Sequence, residues 1–462
     1  MKINNLDKII EDYLIRNEKK LKINSNDILS GDVFIALQGR NIHGNKYIKD
    51  VLANGAKYVI TDKNAGSFIN KNNVLIVNDA LLFLLRIANK KRNNFRGKVI
   101  GITGSVGKTS VKENLKFLLS FESKVSASIK SYNNYLGVLI SLINMDNFSD
   151  FAIFEIGTNN FHEIGKLTSI IMPQQVIVTN IFPTHLESLK STRNIAIEKS
   201  DIFNLKYNSE IELLILPNSN SDELFLYDQA KKMKISKILT VGKKTNSNYH
   251  IQEINKTNKK NIIIKVNKNK ESYKIDFDTD YYHQIHNAII CLSIFEHNNL
   301  PLKTFYKKVK SIPKIEGRGL MNEVAIDDKK IFFIDESYNA SPVTMKICID
   351  YFYELELQNT QKKYIILGEM NELGKLSKMY HQDVIKQILH YKFENVILCG
   401  NLFKSLLKRM KTETDQINCL LDENEIMQFL KKNIHNNDII LIKGSNSTKV
   451  NKLANMLNAN KE

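Results

Sequence analysis

The stretch Val99 to Glu113, VIGITGSVGKTSVKE, constrains this chain more than any other. A short β-rich run, Val99 to Thr103, leads into a glycine-spaced loop closed by Gly107-Lys108-Thr109, and a helix-like pattern follows. Strand, phosphate loop and helix in that order belong in a mostly parallel sheet with helices on both faces. Backbone N–H groups of such a loop converge on phosphate oxygens, and the helix N-terminus adds the positive end of its dipole. Lys108 is expected to reach the β- and γ-phosphates, and the Thr109 hydroxyl to ligate Mg²⁺. The common pattern G-x-x-x-x-G-K-[ST] is not met in full, because its first glycine falls on Ile102; glycines stand instead at 101, 104 and 107. A glycine-rich turn that binds nothing is the poorer account, since Gly-Lys-Thr opening a helix after a buried strand is an uncommon accident.

A chain of 462 residues is expected to form about three domains. Its apolar runs fall short of the ~20 residues of a membrane span, and Asp and Glu interrupt the N-terminal MKINNLDKIIEDYLI, which reads as an amphipathic helix and not a signal peptide. A cytoplasmic enzyme without membrane insertion is expected. The net charge of +17 comes from scattered lysines with short clusters such as Lys256 to Lys270, so it points to steering of an anionic substrate and not to a nucleic-acid partner. Cys291, Cys348, Cys399 and Cys419 form no C-x-x-C pair and read as buried free thiols.

Taken in order, residues 1–78 read as a small α/β unit with strands Val33 to Leu37 and Tyr58 to Thr61 around a helix, Lys46 to Asn54. Residues 79–313 form the central unit: a helix from Asp79 to Asn93, the phosphate loop, then alternating strand and helix, with a peripheral hairpin over Lys256 to Asp276. Residues 314–462 restart the pattern, and IFFIDE, KYIILGE, NVILCG and DIILIKGS are four buried-strand signals of a doubly wound, Rossmann-like α/β domain.

Several residues stand where chemistry is done. FAIFEIG carries Glu155 at a strand end, where ligands sit in open α/β sheets. VIVTNIFPTH is a second strand, expected beside the Glu155 strand, and delivers His185. Lys199 lies in a helical stretch, NIAIEKSDIF, where a solvated face is the ordinary fate of a lysine. His286-Asn287 opens an apolar helix; Arg318 stands between glycines in EGRG; Asp335 ends IFFID, with Tyr338 and Asn339 in the turn after it. Loop positions of this kind carry function more often than strand interiors.

The ordered set GITGSVGKT, YNNYLGV, FEIGTNN, TNIFPTHLES, IAIEKSDIF, HN, EGRG, DESYNASP, LGEMNELG and KGS resembles the Mur ligase family over nearly the whole chain. These ATP-dependent amide-forming ligases build the peptide stem of peptidoglycan, and they share the loop G-x-T-G-[ST]-x-G-K-[ST], which accounts for the displaced glycines. The match is closest to the branch that joins D-alanyl-D-alanine to UDP-N-acetylmuramoyl-tripeptide. DESYNASPVTM is similar to that branch's D-[DE]-x-Y-N-A-[NS]-P-x-S-M, and LGEMNELG to its L-G-[DE]-M-x-E-L-G. The D-Y-A-H-T-P and D-N-P-R motifs of the diaminopimelate-adding branch are not found. FIALQGRNIHGNKYI resembles a uridine-nucleotide-binding domain.

The resemblance implies ATP and two Mg²⁺ ions as cofactors and a monomer. It implies phosphate contacts from Gly104, Ser105, Gly107, Lys108, Thr109 and Ser110, and metal ligation by Thr109, Glu155, His185 and Lys199, the lysine as a carbamate. Asn287 matches an adenine contact, Arg318 a phosphate-contacting arginine of the hinge Pro313 to Gly319, and Asp335 a ribose contact. Lys108, Lys199 and Arg318 form the implied catalytic set. Asn133, Asn134, Thr158 and Asn159 match positions lining the muramyl-peptide site, and Tyr338 and Asn339 lie near the incoming dipeptide. Where many relatives have D-S-R at the uridine site, this chain has Asn24-Ser25-Asn26: Ser25 is kept and the arginine is lost. Diamino-acid addition and folylpolyglutamate synthesis are the alternative ligations, the latter opposed by residues 1–78; a basic nucleic-acid-binding ATPase and a non-catalytic scaffold are the rivals from other classes.

Overall fold

The computed structural model describes residues 3–16, 19–39, 41–63, 65–68, 71–256, 262–268, 271–277, 282–356, 361–410 and 416–459. Its contacts divide into two compact units, one comprising Met1–Asn180 with Ala196–Ile312 and the other Ile181–Ile195 with Pro313–Glu462. Among the described residues, no helix is long and apolar enough to cross a membrane.

The first unit holds two sheets. A small all-parallel sheet runs Leu21–Lys22, Val33–Ala36, Tyr58–Thr61, Val74–Ile76. The N-terminal helix Ile3–Ile15 is the amphipathic element expected, burying Ile10, Tyr13 and Leu14. The larger sheet is ordered Glu271–Phe277, Ile262–Lys268, Tyr249–Lys256, Ile238–Gly242, Leu213–Pro217, Gln175–Val178, Lys98–Thr103, Phe151–Glu155, Val125–Ala127. It is parallel from Val125–Ala127 to Tyr249–Lys256, and the last two strands pair antiparallel as the expected edge hairpin, the connecting residues 269–270 lying outside those described. Central strands such as Phe151–Glu155 and Leu213–Pro217 are buried at every position, as strands covered on both faces must be. The helix Lys108–Leu119 sets Val111, Leu115, Leu118 and Leu119 into one core with Ile100 and Ile102 of its strand and Ile285, Ile289, Leu292 and Phe295 of the helix Tyr282–His297.

Two expectations are corrected. The strand leading to His185, Gln175–Val178, does not lie beside the Glu155 strand; the phosphate-loop strand Lys98–Thr103 sits between them. A strand flanked by neighbours whose connections diverge leaves a crevice at its carboxyl end, which is where the loop stands. His286-Asn287 does not open its helix either, because the helix is already running from Tyr282. An apolar run marks where a helix becomes buried, not where it starts.

The second unit is a six-stranded sheet ordered Leu320–Ile326, Lys329–Glu336, Ile439–Lys443, Lys363–Gly368, Asn395–Cys399, Ile417–Leu420, parallel except for the first pair. The four expected strands are its buried centre. Leu320–Ile326 and Ile417–Leu420 carry no buried-strand signal because they are edges, half-exposed along much of their length. Cys291, Cys348 and Cys399 are buried free thiols as expected, whereas Cys419 is half-buried. Burial pushes the Cys291 and Cys348 thiols far up, out of the reactive range.

Lys91 is fully buried in the helix Ala80–Asn94, and its ammonium has one long hydrogen bond, 3.4 Å to the Ile15 carbonyl. Burial, with Lys20 nearby, lowers its pKa from 10.5 to about 8. The unfolded chain therefore binds the extra proton between these two values, so stability gained from this site rises with pH across that window and is absent below it. Lys91→Met is expected to remove roughly 2 to 3 kcal/mol of pH-dependent stability between pH 8 and 10. Denaturant titrations of both proteins at the two pH values check it; parallel changes in the two would refute the assignment.

Candidate active site

The phosphate loop is built by its neighbours as much as by its own sequence. Gly104 has φ +147°, and a Cβ there would stand 1.8 Å from Thr179 Oγ1. Gly107, at φ +85°, caps the helix Lys108–Leu119 and faces Asn287, whose Oδ1 lies 3.2 Å from where its Cβ would be. The next strand's end pins the loop. Ser105 N–H donates to the Asn180 carbonyl (3.0 Å) and Val106 N–H to Asn180 Oδ1 (2.9 Å), while the Val106 carbonyl accepts from Thr179 Oγ1 (2.6 Å) and Asn180 Nδ2 (3.0 Å). Lys108 Nζ folds over the loop onto the Gly104 carbonyl at 2.8 Å. Ser110 is half-buried in the first turn of the helix.

Thr109 Oγ1 donates to Glu155 Oε2 at 2.7 Å, and Asn133 Nδ2 donates to Glu155 Oε1 at 2.7 Å. Thr109 and Glu155 are both buried. A hydroxyl and a carboxylate, hard oxygen donors beside a phosphate loop, fit Mg²⁺, which binds through one or two protein oxygens plus substrate phosphates. Among the described residues, no cluster of three or more carboxylate, imidazole or thiol groups is found.

Lys199, in the helix Thr192–Ser200, is 1 % exposed and so departs from the solvated lysine of an ordinary helix face. Burial and the nearby Lys108 ammonium push its amine well below the ordinary lysine value, against the opposing pull of Glu198. Lys112 is fully buried one turn beyond Lys108. Its ammonium bonds the Ser128 carbonyl (2.8 Å) and the Lys130 carbonyl and pairs with Glu113 (3.0 Å), fixing the segment that leads to Asn133. Asn134 caps the helix Tyr135–Ile143 by accepting from Gly137 N–H (2.9 Å). Thr158 is buried and donates to the Asn160 carbonyl (2.6 Å), while Asn159 is exposed. Ser25 opens a short 3₁₀ turn, Ser25–Asp27, with Asn24 as its cap.

The remaining expected residues fall in the second unit. His185, at φ +53°, pairs its Nδ1 with Glu372 Oε2 at 2.5 Å. The imidazole holds the Glu372 carboxyl below its usual range. Arg318 stacks its guanidinium on the Tyr338 ring, 4.4 Å from the centroid, with Gly317 and Gly319 at positive φ on either side. Asp335 is buried and engaged within its own unit: Oδ1 accepts from Ser337 N–H (3.0 Å) and Oγ (2.7 Å), and Oδ2 from Asn458 Nδ2 (2.7 Å). Asn339 is exposed, and its carbonyl accepts from the buried Lys443 Nζ at 3.1 Å.

In the first unit, then, Lys108, Thr109, Glu155, Asn133 and Asn287 converge on the loop, with Lys199 within electrostatic reach of Lys108. Thr179, Asn180, Lys112, Glu198 and Glu372 were not singled out by sequence reasoning. Asn180 follows the VIVT strand and Glu198 directly precedes Lys199, so strand-end and neighbour positions held the available signal.

Residues 19–91 match a model of the Mur ligase family catalytic domain, 102–295 the Mur ligase middle domain and 322–446 the Mur ligase glutamate ligase domain. A UDP-N-acetylmuramoyl-tripeptide--D-alanyl-D-alanine ligase of Rickettsia prowazekii is 32% identical over 95% of this chain and 94% of its own. The protein of that name from Bacillus subtilis is 25% identical over 91% of this chain and 89% of its own. A crystal structure of MurF from Acinetobacter baumannii superposes with TM-score 0.78 at 23% identity, covering 95% of this chain and 93% of that one. MurF from Thermotoga maritima in complex with ADP gives 0.77 at 21% identity, covering 97% and 98%.

Proposed function

The chain belongs to the Mur ligase family, and from that premise we propose that it joins D-alanyl-D-alanine to UDP-N-acetylmuramoyl-tripeptide with cleavage of ATP to ADP and phosphate. A carboxylate is a poor electrophile. The terminal carboxylate of the tripeptide attacks the γ-phosphorus, ADP leaves, and the acyl phosphate formed is opened by the dipeptide amine as phosphate departs. Bringing the two anions together in the first step is the electrostatic problem the site must solve.

The assignment of residues belongs to the same proposal. Lys108 and the loop N–H groups bind the β- and γ-phosphates. Thr109 and Glu155 would hold one Mg²⁺, Lys199, carbamylated, would be a ligand of a second, and His185 is likewise assigned as a metal ligand. Magnesium bound there would supply positive charge against the anions that meet at the γ-phosphoryl group. Asn287 contacts the adenine, Asp335 the ribose side, and Arg318 the phosphates. Asn133, Asn134, Thr158 and Asn159 line the muramyl-peptide site, Ser25 the uridine end, and Tyr338 and Asn339 the dipeptide. Residues 1–78 bind the uridine nucleotide, 79–313 the ATP, and 314–462 the dipeptide, in a cytoplasmic monomer.

The Thr109–Glu155 pair beside Lys108 carries this reading, since it sets a metal-binding hydroxyl and carboxylate at a phosphate loop in a chain aligned end to end with dipeptide-adding ligases. The test is ADP release with UDP-N-acetylmuramoyl-tripeptide as acceptor and D-Ala-D-Ala, diaminopimelate, L-lysine or D-Ala as the amine. Turnover with the dipeptide alone is expected. Turnover of the shorter UDP-muramyl dipeptide with a free diamino acid would move the chain to the preceding ligation.

A further inference from the structure

The helix Glu163–Ile171 begins without a cap of its own. Its N-cap residue, His162, sits at φ +68° and contributes no side-chain cap bond. Helix starts normally satisfy their free N–H groups with a local Ser, Thr, Asp or Asn. Here the acceptor comes from a different helix. Glu198, 1 % exposed, accepts from His162 N–H at 2.6 Å and from Ile164 N–H at 2.9 Å, and its Oε1 lies 3.3 Å from Thr158 Oγ1. Glu163 closes the same turn from the outside, accepting from Asn159 N–H (2.7 Å) and Asn160 N–H (3.2 Å).

We infer that Glu198 is a positioning residue that fixes the turn Thr158–His162 against the helix carrying Lys199, and so sets where the UDP-linked peptide lies relative to the activated phosphate. The inference rests on the proposed function, which gives Thr158 and Asn159 to the muramyl-peptide site and Lys199 to the metal. A local cap would hold the helix equally well but would leave the turn free of Lys199. Capping from the adjacent residue in the chain makes turn and lysine one rigid piece.

The experiment compares wild type, Glu198→Gln and Glu198→Ala by steady-state kinetics and by amide hydrogen exchange. In Glu198→Ala, KM for UDP-N-acetylmuramoyl-tripeptide is expected to rise roughly tenfold or more, with KM for ATP within about twofold, since the phosphate loop is pinned separately by Asn180. Exchange at residues 158–164 should accelerate. Glu198→Gln, which keeps one carbonyl acceptor, should fall between the two, and it carries the test if the alanine variant does not fold. Equal rises in both KM values, or unchanged exchange at 158–164, would overturn the inference. Exchange needs neither substrate nor turnover. Faster exchange in the variant, in a protein whose wild type never binds the UDP-linked peptide, would therefore defeat the proposed function and leave the clamp standing as a structural fact only.

Discussion

Replacing Lys108 with alanine is expected to lower ATP-dependent ligation by about 10³-fold, in line with removal of a single preorganised donor at a charged transition state. The side chain donates to the carbonyls of Gly104 and Ser105, at 2.8 and 3.4 Å. The loop beneath is held by Thr179 and Asn180 whether or not Lys108 is present. The fold should therefore survive, with a thermal midpoint within about 5 °C of wild type. A second effect travels through charge. Burial and, after it, Lys108 hold the Lys199 amine below its ordinary value, so removing Lys108 takes away one of the two influences. Lys108→Arg separates the two effects, because it keeps the positive charge and loses the compact ammonium that fits between phosphates. ADP release and thermal melts on the three proteins check this. A folded Lys108→Ala protein ligating at the wild-type rate would remove the ATP site from the loop.

The parts of this molecule visible in its sequence are those whose physics is local. Gly104 and Gly107 announce a loop because their positive φ angles exclude other residues. IFFIDE and DIILIKGS announce central strands because both faces are covered. Glu155 announces itself as a carboxylate at a strand end. The parts that stayed hidden depend on contacts between segments far apart in the chain. The order of strands around Lys98–Thr103 cannot be read from apolar runs, so the His185 strand was assigned a neighbour it does not have. Lys199 and Glu198 sit in a helix whose sequence reads as a solvated face, yet both are 1 % exposed, and Glu198 is engaged by backbone groups of His162 and Ile164, far back in the chain. Asn180 builds the phosphate loop from 74 residues away. The family resemblance supplied Lys199 where periodicity alone argued against it; it assigned no role to Glu198, Lys112 or Asn180, which are positioning contacts.

Lys199→Ala is expected to lose ligation by about 10²- to 10⁴-fold and to recover part of it when a short carboxylate such as formate or acetate is added. The argument begins with burial. A lysine ammonium with 1 % exposure beside a second ammonium is held in an environment that disfavours its charge, and its pKa is driven well down by that burial and by Lys108. The neutral amine is the form that can attack carbon dioxide, forming an N–C bond with loss of one proton. The product places an anion where the ammonium form was disfavoured, and an anion there is attracted to the Lys108 ammonium and not repelled by it. Alanine leaves a space of the size a small carboxylate occupies, so an exogenous anion can take the same place. Two readings separate this account from plain structural damage. Wild-type protein prepared with ¹³C-labelled carbon dioxide should show a carbamate carbon that Lys199→Ala lacks. Rescue should also depend on the carboxylate and not on ionic strength, so chloride at equal concentration restores nothing. A Lys199→Ala protein with full activity and no additive would show that this lysine is buried for packing alone.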